Sequence, residues 1–346
     1  MVAPLHWGLG HATRCIPIIR ALLQDSYEVL LASDGSALLL LRKEFPSLPF
    51  LELPSYNISY PKKGRNFKWK LLSKLPHIYK TMVSEKRLIA KMISEGKIDG
   101  IISDNRFGIY SSRIPSIYIT HQLSVLTGST TYISSKIHQN IIKKFDECWV
   151  PDNEGKSNLS GKLSDIKQSG IPVKYIGPFS RMQHKTMVKA YDILVIISGP
   201  EPQRTFFENI LISALDRTEK KIMIVRGIIE SDQKRKESNN LTLVNFMESD
   251  QLEEAINESE LVISRSGYST IMDLSMMGKK AFFIPTPGQY EQQYLAKRLQ
   301  NLRIAPFCQQ QDFNIEKLNL VERYKGFNVS ESVSDFKSLF RLFQRE

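Results

Sequence analysis

Short apolar runs alternate with longer amphipathic segments along most of the chain. In the first half, runs rich in aliphatic and β-branched residues predict buried strands at Val2–Leu5, Glu28–Ala32, Gly100–Ser103, Ser116–Ile119 and Cys148–Val150. Helical patterns such as Ile16–Leu23 lie between these runs. Because strands that alternate with helices form parallel sheets covered by helices, the first half is predicted to be a doubly wound α/β domain.

The same rhythm restarts near Tyr191. A second set of strands is predicted at Ile193–Ile197, Lys221–Val225, Leu241–Val244, Leu261–Ser264 and Ala281–Ile284. Gly177 and Pro178 break the pattern between the two sets, and the polar segment Ser180–Lys185 follows them. The apolar spacing of Ser332–Phe343 predicts a final amphipathic helix at the domain junction. We therefore expect an N-terminal domain over 1–180, a C-terminal domain over 181–330 and a C-terminal helix over 331–346.

Composition adds limits to this picture. The chain of 346 residues exceeds the roughly 250–300 residues at which single cores stop growing, which favours two domains. Three cysteines, Cys15, Cys148 and Cys308, lie far apart, which argues against a zinc site or a disulfide framework and favours a reducing cytoplasm. No run reaches the ~20 apolar residues of a spanning helix, so attachment to a membrane surface is the only membrane association expected.

Charge is the most unusual part of the composition. The formal net charge of +11 favours an anionic partner: a phosphate-bearing substrate, an acidic lipid surface or nucleic acid. Between Lys62 and Lys97 many cations face only two acids, Glu85 and Glu95, and apolar side chains lie among them. This stretch is predicted to dock on an anionic membrane surface. A pair of solvated helices with ordinary core residues is the alternative.

The first segment with chemical potential is Pro4–Arg14, which follows a strand and leads into a helix. Gly8 and Gly10 allow the backbone to approach a ligand closely, although Thr13 stands where a dinucleotide fingerprint has its third glycine. His11 is a candidate for a group that accepts a proton near neutral pH. Support of the turn is the alternative role.

Two polar residues follow later strands of the same predicted sheet. Asp104 and His121 each come directly after a strand, and the carboxyl ends of parallel strands meet at one edge, where open α/β sheets bind ligands. Asp104 is therefore a second candidate for the catalytic base. His121 is expected to line the acceptor side with Gly8 and Gly10.

A second glycine turn, Ser198–Arg204, opens the C-terminal domain. It contains Gly199 and ends at Arg204 in the first turn of a predicted helix. A guanidinium group at that point suits bidentate binding of a diphosphate, and a surface arginine is the alternative.

The most informative segment is Ser264–Asp273. Arg265, small hydroxyl residues and a glycine stand where a helix begins, and such a helix start suits phosphates: Arg265, Ser266, Gly267, Ser269 and Thr270. Asp273 follows one turn later, where a carboxylate accepts ribose hydroxyl protons. An N-capped helix without a ligand is the alternative.

Another polar cluster follows the last predicted strand. The segment Pro285–Tyr294 offers amides and a carboxylate that suit the hydroxyl groups of a sugar: Gln289, Glu291, Gln292 and Gln293. The alternative is an exposed helix start.

Together these segments resemble the GT-B glycosyltransferases of family 28, and the stretch from Ile263 to Gln293 carries the specific part of the resemblance. It implies two Rossmann-like domains facing across a cleft, the first on the acceptor side and the second holding the nucleotide-sugar. It also implies inverting transfer of N-acetylglucosamine or another hexose from a UDP-sugar, with no metal or other cofactor. The lack of an Asp-x-Asp motif agrees with metal independence.

The resemblance also assigns residues. Ser266 and Gly267 would hold the diphosphate, Asp273 the ribose, and Gln292 and Gln293 the sugar. Arg204 would lie near the phosphates, His11 would serve acceptor binding and catalysis, and uracil would contact the backbone of Phe246 and Met247. Two departures stand out: the second turn reads Ser-Gly-Pro-Glu-Pro, and the first loop adds Trp7 and Leu9.

The acceptor is open, and a lipid-linked one would place a cytoplasmic enzyme on the inner membrane face. A nucleotide-sugar 2-epimerase or hydrolase is the nearest alternative because it shares the architecture and the donor pocket. A non-enzymatic protein with a basic binding surface is the other. Nucleic acid is not expected as a partner, because the cations form no recognisable binding motif.

Overall fold

The structure is a computed structural model, which describes residues 1–57, 67–126, 131–155, 158–165, 170–199, 201–216, 218–329 and 335–344. For residues 67–73 it describes the backbone alone. The predictions for Lys62, Lys63 and Arg65 lie outside the described residues. The chain divides into two compact units: one contains Met1–Ile58, Trp69–Phe179 and Ser332–Glu346, and the other contains Ser180–Glu331.

The first unit is built on one parallel sheet in the order β3-β2-β1-β4-β5-β6-β7. Its strands are β1 Val2–Pro4, β2 Leu31–Ser33, β3 Phe50–Glu52, β4 Ile101–Asp104, β5 Ser116–Ile119, β6 Glu147–Val150 and β7 Val173–Tyr175. All of the strands predicted for this half are present, and β3 and β7 are additional. Strand β1 pairs with both β2 and β4, so the order in which strands are added to the sheet reverses at β1. Open α/β sheets bind ligands at such a reversal.

Helices cover this sheet: α1 Gly10–Gln24, α2 Gly35–Glu44, α3 Phe67–Ser94 and α4 Thr131–Ile142. Helix α1 begins at Gly10, so His11 lies in its first turn. The buried face of α1 includes Ile16, Ile19 and Leu22 at helical spacing, which fixes the helix on the sheet. No helix in the described part of the chain is both long and apolar enough to cross a membrane.

The second unit has its own sheet in the order β10-β11-β9-β8-β12-β13. The strands are β8 Tyr191–Ile196, β9 Ile222–Val225, β10 Arg235–Ser238, β11 Leu241–Val244, β12 Ser259–Ser264 and β13 Lys280–Phe283. The helices are α5 Gln203–Leu215, α6 Ser249–Asn257, α7 Tyr268–Met276 and α8 Tyr290–Asn301. Strand β10 was not predicted, is exposed along its length and pairs antiparallel with β11 at the edge. The prediction of two doubly wound Rossmann-like sheets is confirmed.

The C-terminal segment packs on the first unit. It forms the short helix α9, Phe336–Leu339, and a 3-10 turn at Phe340–Phe343. Phe340 is fully buried, with its ring centroid 5.7 Å from that of Tyr27 and 6.3 Å from that of Trp149. The Tyr27 hydroxyl also donates to the Phe340 carbonyl oxygen at 3.1 Å. The first unit is therefore completed by residues that follow the whole second unit, while the placement of this helix at a junction stays a prediction.

We expect Phe340→Ala to lower the free energy of unfolding of the first unit by about 3–5 kcal/mol, because it leaves a cavity among buried rings. Urea unfolding followed by tryptophan fluorescence measures this, since all three tryptophans belong to the first unit. Lys337→Ala, an exposed change in the same segment, is the control and should shift stability by less than about 0.5 kcal/mol. Equal midpoints for the two variants would contradict the docking.

Candidate active site

The backbone of the first glycine loop, which follows β1, is accessible to a ligand. Leu5 N donates to the Asp104 carbonyl oxygen at 2.8 Å, which ties the loop to β4. Gly8 has a φ of +82°, a left-handed conformation that favours glycine, and a Cβ there would meet no atom within 4 Å. A ligand therefore has room to approach the backbone directly before α1 begins.

His11 and Asp104, the two candidates for the base, form a single pair. His11 Nδ1 lies 2.7 Å from Asp104 Oδ1, and the side chain of His11 is 16% exposed whereas that of Asp104 is fully buried. An ionised carboxylate only accepts hydrogen bonds, so it pairs with the tautomer that carries a proton on Nδ1, and the neutral ring in that tautomer has its lone pair on Nε2. Arg14 Nη2 also lies 3.0 Å from His11 Nδ1. The geometry favours His11 as the base, with Asp104 as the group that orients it.

Arg14, which sequence reasoning did not single out, completes this pair. Its Nε donates to Asp104 Oδ2 at 2.7 Å, and its Nη2 makes a second ion pair with Asp104 Oδ1. Burial disfavours the Asp104 carboxylate, but Arg14 and His11 overcome that effect and hold the pKa of Asp104 down at about 2. The spacing of three residues from His11 on one helix face was the available signal.

His121 lies behind this cluster. Its side chain is buried, and its Nδ1 is 3.0 Å from Arg14 Nη1. Arg14 therefore joins the loops after β4 and β5 to α1. His121 thus contacts Arg14, and its place on the acceptor side stays a prediction.

The second glycine turn is also open, but its arginine is held by acids. Gly199 has a φ of +100°, and a Cβ there would meet no atom within 4 Å. Arg204 Nη1 donates to Glu208 Oε2 at 3.1 Å, and Arg204 Nη2 pairs with Glu201. Glu201 belongs to the part of this turn that departs from the family pattern, and a diphosphate would compete with it for Arg204.

Arg265 is buried in the second unit and holds loops together. It lies 3.8 Å from the centre of the Phe207 ring, and it has no carboxylate partner among the described residues. Its guanidinium donates to the carbonyl oxygens of Ile284, Pro285 and Gln203 at 3.0, 3.2 and 3.2 Å and to Gln310 Oε1 at 2.6 Å. Burial lowers the pKa of Arg265 to about 9. Arg265 thus joins backbone groups of the second unit, and its contact with a donor stays a prediction.

The start of α7 is locked to the start of α8. The buried Ser266 donates through Oγ to the Gln292 carbonyl oxygen at 2.8 Å, and Thr286 N donates to Gln292 Oε1 at 2.7 Å. A Cβ at Gly267, which precedes α7, would meet no atom within 4 Å. Ser266 and Gln292 therefore shape the site through each other, while the backbone at Gly267 stays open. Ser269 and Thr270 are half-buried in the first turn of α7.

Asp273 lies in α7, and its environment raises its pKa to about 6. Burial is the cause, opposed by the charge of Arg181 and by the Ser180 hydroxyl, which donates to Asp273 Oδ1 at 2.5 Å. Arg181 was not singled out from the sequence; its Nη1 donates to Ser249 Oγ at 3.1 Å. Ser180 and Arg181, the first two residues of the polar segment, thus lie at the predicted ribose site.

The remaining predicted donor residues follow β11 and β13, two strands that are not adjacent in the sheet. Phe246 follows β11, is buried, and accepts a bond from Gln233 Nε2 at its carbonyl oxygen at 2.8 Å, whereas Met247 is half-buried. Gln289, Glu291 and Gln293 are half-buried around the start of α8. Within the described part of the chain, no group of three or more His, Cys, Asp or Glu side chains is placed to hold a metal ion.

Sequence comparison supports a family for the second unit. Residues 193–322 match the sequence model of the glycosyltransferase family 28 C-terminal domain. The UDP-N-acetylglucosamine--N-acetylmuramyl-(pentapeptide) pyrophosphoryl-undecaprenol N-acetylglucosamine transferase of Haemophilus ducreyi is 23% identical over 207 residues, 58% of this chain and 55% of that protein. The chain thus matches about half the length of this relative. An uncharacterized glycosyltransferase of Methanosarcina acetivorans is 23% identical over 312 residues, 83% of this chain and 79% of that protein.

Solved structures support the fold of the whole chain. MurG of Acinetobacter baumannii is 17% identical with a TM-score of 0.54, over 100% of this chain and 99% of that one. The glycosyltransferase SnogD from Streptomyces nogalater is 11% identical with a TM-score of 0.62, over 99% and 98% of the two chains. The chain therefore has the GT-B fold, and residues 193–322 of its second unit match the C-terminal domain of glycosyltransferase family 28.

Proposed function

We propose that this chain is an inverting glycosyltransferase that transfers N-acetylglucosamine or another hexose from a UDP-sugar to an acceptor hydroxyl, without a required metal ion. The observation that carries the proposal is the partly exposed His11 ring, whose Nδ1 lies 2.7 Å from the buried Asp104 carboxylate. The family 28 domain over residues 193–322 supports the donor half. The name of the Haemophilus relative gives UDP-N-acetylglucosamine as its donor and an undecaprenol-linked acceptor, and we carry over the donor class.

His11 acts as the general base in the proposed reaction. Its Nε2 accepts the proton of the acceptor hydroxyl while that oxygen attacks the anomeric carbon, and the bond from this carbon to the diphosphate oxygen breaks with inversion. Asp104 stabilises the imidazolium that forms. Since Arg14 holds Asp104 in its ionised form, the proton stays on His11, as in other catalytic His–Asp pairs.

The donor half uses the open start of α7. Backbone N–H groups at Gly267 and in the first turn of α7, with the helix dipole, suit a diphosphate and stabilise it as it leaves. Asp273 accepts hydrogen bonds from two ribose hydroxyl groups, and Gln292 and Gln293 form hydrogen bonds with the sugar. The backbone of Phe246 and Met247 contacts uracil. Arg204 and Arg265 hold the surrounding loops in place, because both are already engaged in the bonds described above.

A surface of the first unit suits an anionic membrane. On α4, Tyr132, Ile133 and Ile137 are 74%, 61% and 59% exposed, and Lys136 is exposed among them. Exposed apolar groups of this size beside cations are typical of helices that lie on a lipid surface. Glu85, on α3, is buried, whereas Glu95 is exposed. Glu95 is therefore the one acid at the surface of the described part of the basic stretch. We therefore propose that the first unit binds anionic lipid, which fits a lipid-linked acceptor and a peripheral location on the inner membrane face.

Donor binding is tested first with Asp273. We expect UDP-glucose to bind the wild type, and Asp273→Asn to weaken binding about tenfold or more, because a charged acceptor of two hydroxyl bonds is lost. dTDP-glucose, which lacks the ribose 2′-hydroxyl, should bind the wild type more weakly. Because the pKa of Asp273 is about 6, affinity should fall as the pH drops from 7.5 through 6, and it should stay level in the variant.

Calorimetry at several pH values measures these affinities. GDP-mannose serves as a further donor for comparison. If the folded wild type binds none of the nucleotide-sugars, the glycosyltransferase proposal is wrong. Equal affinities for the wild type and Asp273→Asn would remove Asp273 from the donor site.

Catalysis is tested with His11 and Asp104. We expect His11→Gln to lower kcat by about 10²–10⁴-fold with little change in donor KM, since it removes the general base. Asp104→Asn should have a comparable effect, because an amide can favour the wrong imidazole tautomer. Transfer from a radiolabelled UDP-sugar to isoprenoid and glycerolipid extracts is the assay. His184→Gln, which changes an imidazole of the second unit, is the control and should keep full activity.

The products of this assay separate the alternatives. Free sugar or an epimer of the donor, formed without any acceptor, would support the hydrolase or 2-epimerase. Unchanged kcat in His11→Gln would contradict the role of His11 even if transfer occurs.

Membrane binding is tested with the exposed face of α4. We expect the wild type to sediment with vesicles of phosphatidylglycerol and phosphatidylcholine but not with pure phosphatidylcholine vesicles, and added salt should weaken binding. The double change Tyr132→Ser and Ile137→Ser should reduce binding several-fold, because both side chains contribute buried area on the lipid surface. Val188→Ser, at a position 89% exposed in the second unit, is the control. Equal binding by all three proteins would rule out this surface.

A further inference from the structure

A second pocket opens at the carboxyl edge of the first sheet, on the side of β1 that faces β2 and β3. Its volume is about 760 Å³, within the roughly 300–1,000 Å³ typical of ligand sites. The lining residues come from the ends of three strands and from α3, and they include His6, Asp34, Glu52, Leu53 and Leu88. His11 and Asp104 belong to the other side of β1, toward β4. The carboxyl edge of the first sheet therefore carries both the His11–Asp104 pair and, on the other side of β1, this pocket.

The wall of this pocket is held by side-chain hydrogen bonds. Asp34 Oδ1 accepts from Arg106 Nη1 at 2.7 Å, and Asp34 Oδ2 lies 3.4 Å from His6 Nδ1. His6 Nε2 in turn lies 3.0 Å from Ser36 Oγ. Both nitrogens of the His6 ring are thus positioned, and the ring is still 32% exposed. A side chain this constrained presents a defined surface to a ligand.

Gly35 makes room for the His6 ring. Its φ is +52°, and a Cβ there would lie 2.2 Å from His6 Cε1. Any larger residue would strain the backbone and push the ring out of place. Glycine at this position therefore preserves the shape of the pocket.

The charge of the pocket is negative, in contrast to the chain as a whole. Arg106 is fully buried and lies 2.7 Å from both Asp34 and Glu85, so one cation faces two carboxyl groups. Burial raises the pKa of Glu85, whereas His6, Ser55 and Arg106 hold the pKa of Asp34 below its usual range in spite of burial. Glu52 is exposed and makes no ion pair with another described residue.

These groups select a class of ligand. Among the described lining residues there is no Lys or Arg, so phosphate would be repelled by Asp34 and Glu52. Carboxylates and the Ser55 and Asn57 side chains bond well to hydroxyl groups. Leu53 and Leu88 offer an apolar surface, which suits the C–H face of a sugar ring.

We infer that this pocket binds a neutral sugar ring of the acceptor, and that it excludes phosphorylated groups. The inference rests on the proposed function, because it identifies the ring as part of the molecule whose hydroxyl is presented to His11. The acceptor is then a glycoside with at least one uncharged sugar. Any phosphate of that acceptor lies outside this pocket.

The test is histidine NMR on the full chain labelled with ¹³Cε1-histidine, which gives six signals for the six histidines. The signal of His6 is assigned by its loss in His6→Gln. We expect cellobiose and diacetylchitobiose, as neutral probes, to shift the His6 signal. Glucose 6-phosphate, as the anionic probe, should leave it unmoved.

Two variants locate the binding. Glu52→Gln, an exposed change, should weaken binding of the neutral disaccharides about tenfold, because one charged hydrogen bond is lost. Gly35→Ala should weaken it at least as much by displacing His6. Glu28→Gln, an exposed glutamate that precedes the other end of β2, is the matched control and should bind like the wild type.

The outcomes separate this inference from the proposed function. If UDP-glucose binds the wild type but neither disaccharide shifts His6, the pocket assignment is wrong and the transferase proposal stands. If the disaccharides shift His6 but no nucleotide-sugar binds, the pocket stands and the transferase proposal is wrong. A stronger response to glucose 6-phosphate or to glucosamine than to the neutral probes would overturn the assignment to neutral sugars, and equal binding by Glu52→Gln and Glu28→Gln would remove Glu52 from the site.

Discussion

The turn Asp104–Arg106 at the end of β4 is the constraint on which the first unit depends. Asn105 has a φ of +58°, a left-handed conformation that asparagine tolerates better than most residues. Through this turn, Asp104 meets Arg14 and His11, whereas Arg106 meets Asp34 and Glu85. Asp104 thus places a negative charge beside the candidate base on one side of β1, and Arg106 places a positive charge at the sugar pocket on the other side.

Both charges of this turn are buried, so each depends on its partners. Removing one member of a buried ion pair leaves an uncompensated charge, which typically costs about 3–5 kcal/mol. Arg14 and Arg106 are each fixed by at least two bonds to carboxylates, and their guanidinium groups therefore set the positions of α1 and of the loop after β2. The second unit uses a different arrangement: Arg265 bonds the carbonyl oxygens of Ile284 and Pro285 in the loop after β13 and of Gln203 at the start of α5, and it lacks an acid among the described residues. In both units a buried arginine joins the loops at the carboxyl ends of the strands, which keeps the ligand-facing backbone in place.

The sequence was sufficient to predict the elements that are rich in buried apolar residues, and to predict which loops carry chemistry. Strands β3, β7 and β10 were missed because none of their residues is fully buried, so they do not stand out as runs of core residues. His11 and Asp104 were identified as rival candidates, since a sequence cannot show that residues 93 positions apart are in contact. Arg204 and Arg265 illustrate the opposite limit. Their residue type suggested phosphate binding, and the fold gives both guanidinium groups protein partners that the sequence does not show, so their contact with a donor stays a prediction.

The charges also show why composition alone is a weak guide to this site. A net charge of +11 suggests anionic ligands, and the exposed lysines of α3 and α4 agree with that expectation at the surface. At the sheet edge the balance reverses, because the buried cations Arg14 and Arg106 are matched or outnumbered by carboxylates. Glu85 is the clearest case: within the sequence it is one of two acids in a basic stretch, and in the fold it is fully buried and accepts a hydrogen bond from Arg106. A basic exterior and an acidic pocket are compatible with one acceptor if its anionic part faces the surface and its uncharged part enters the site, which is the arrangement expected of a glycolipid at an anionic membrane.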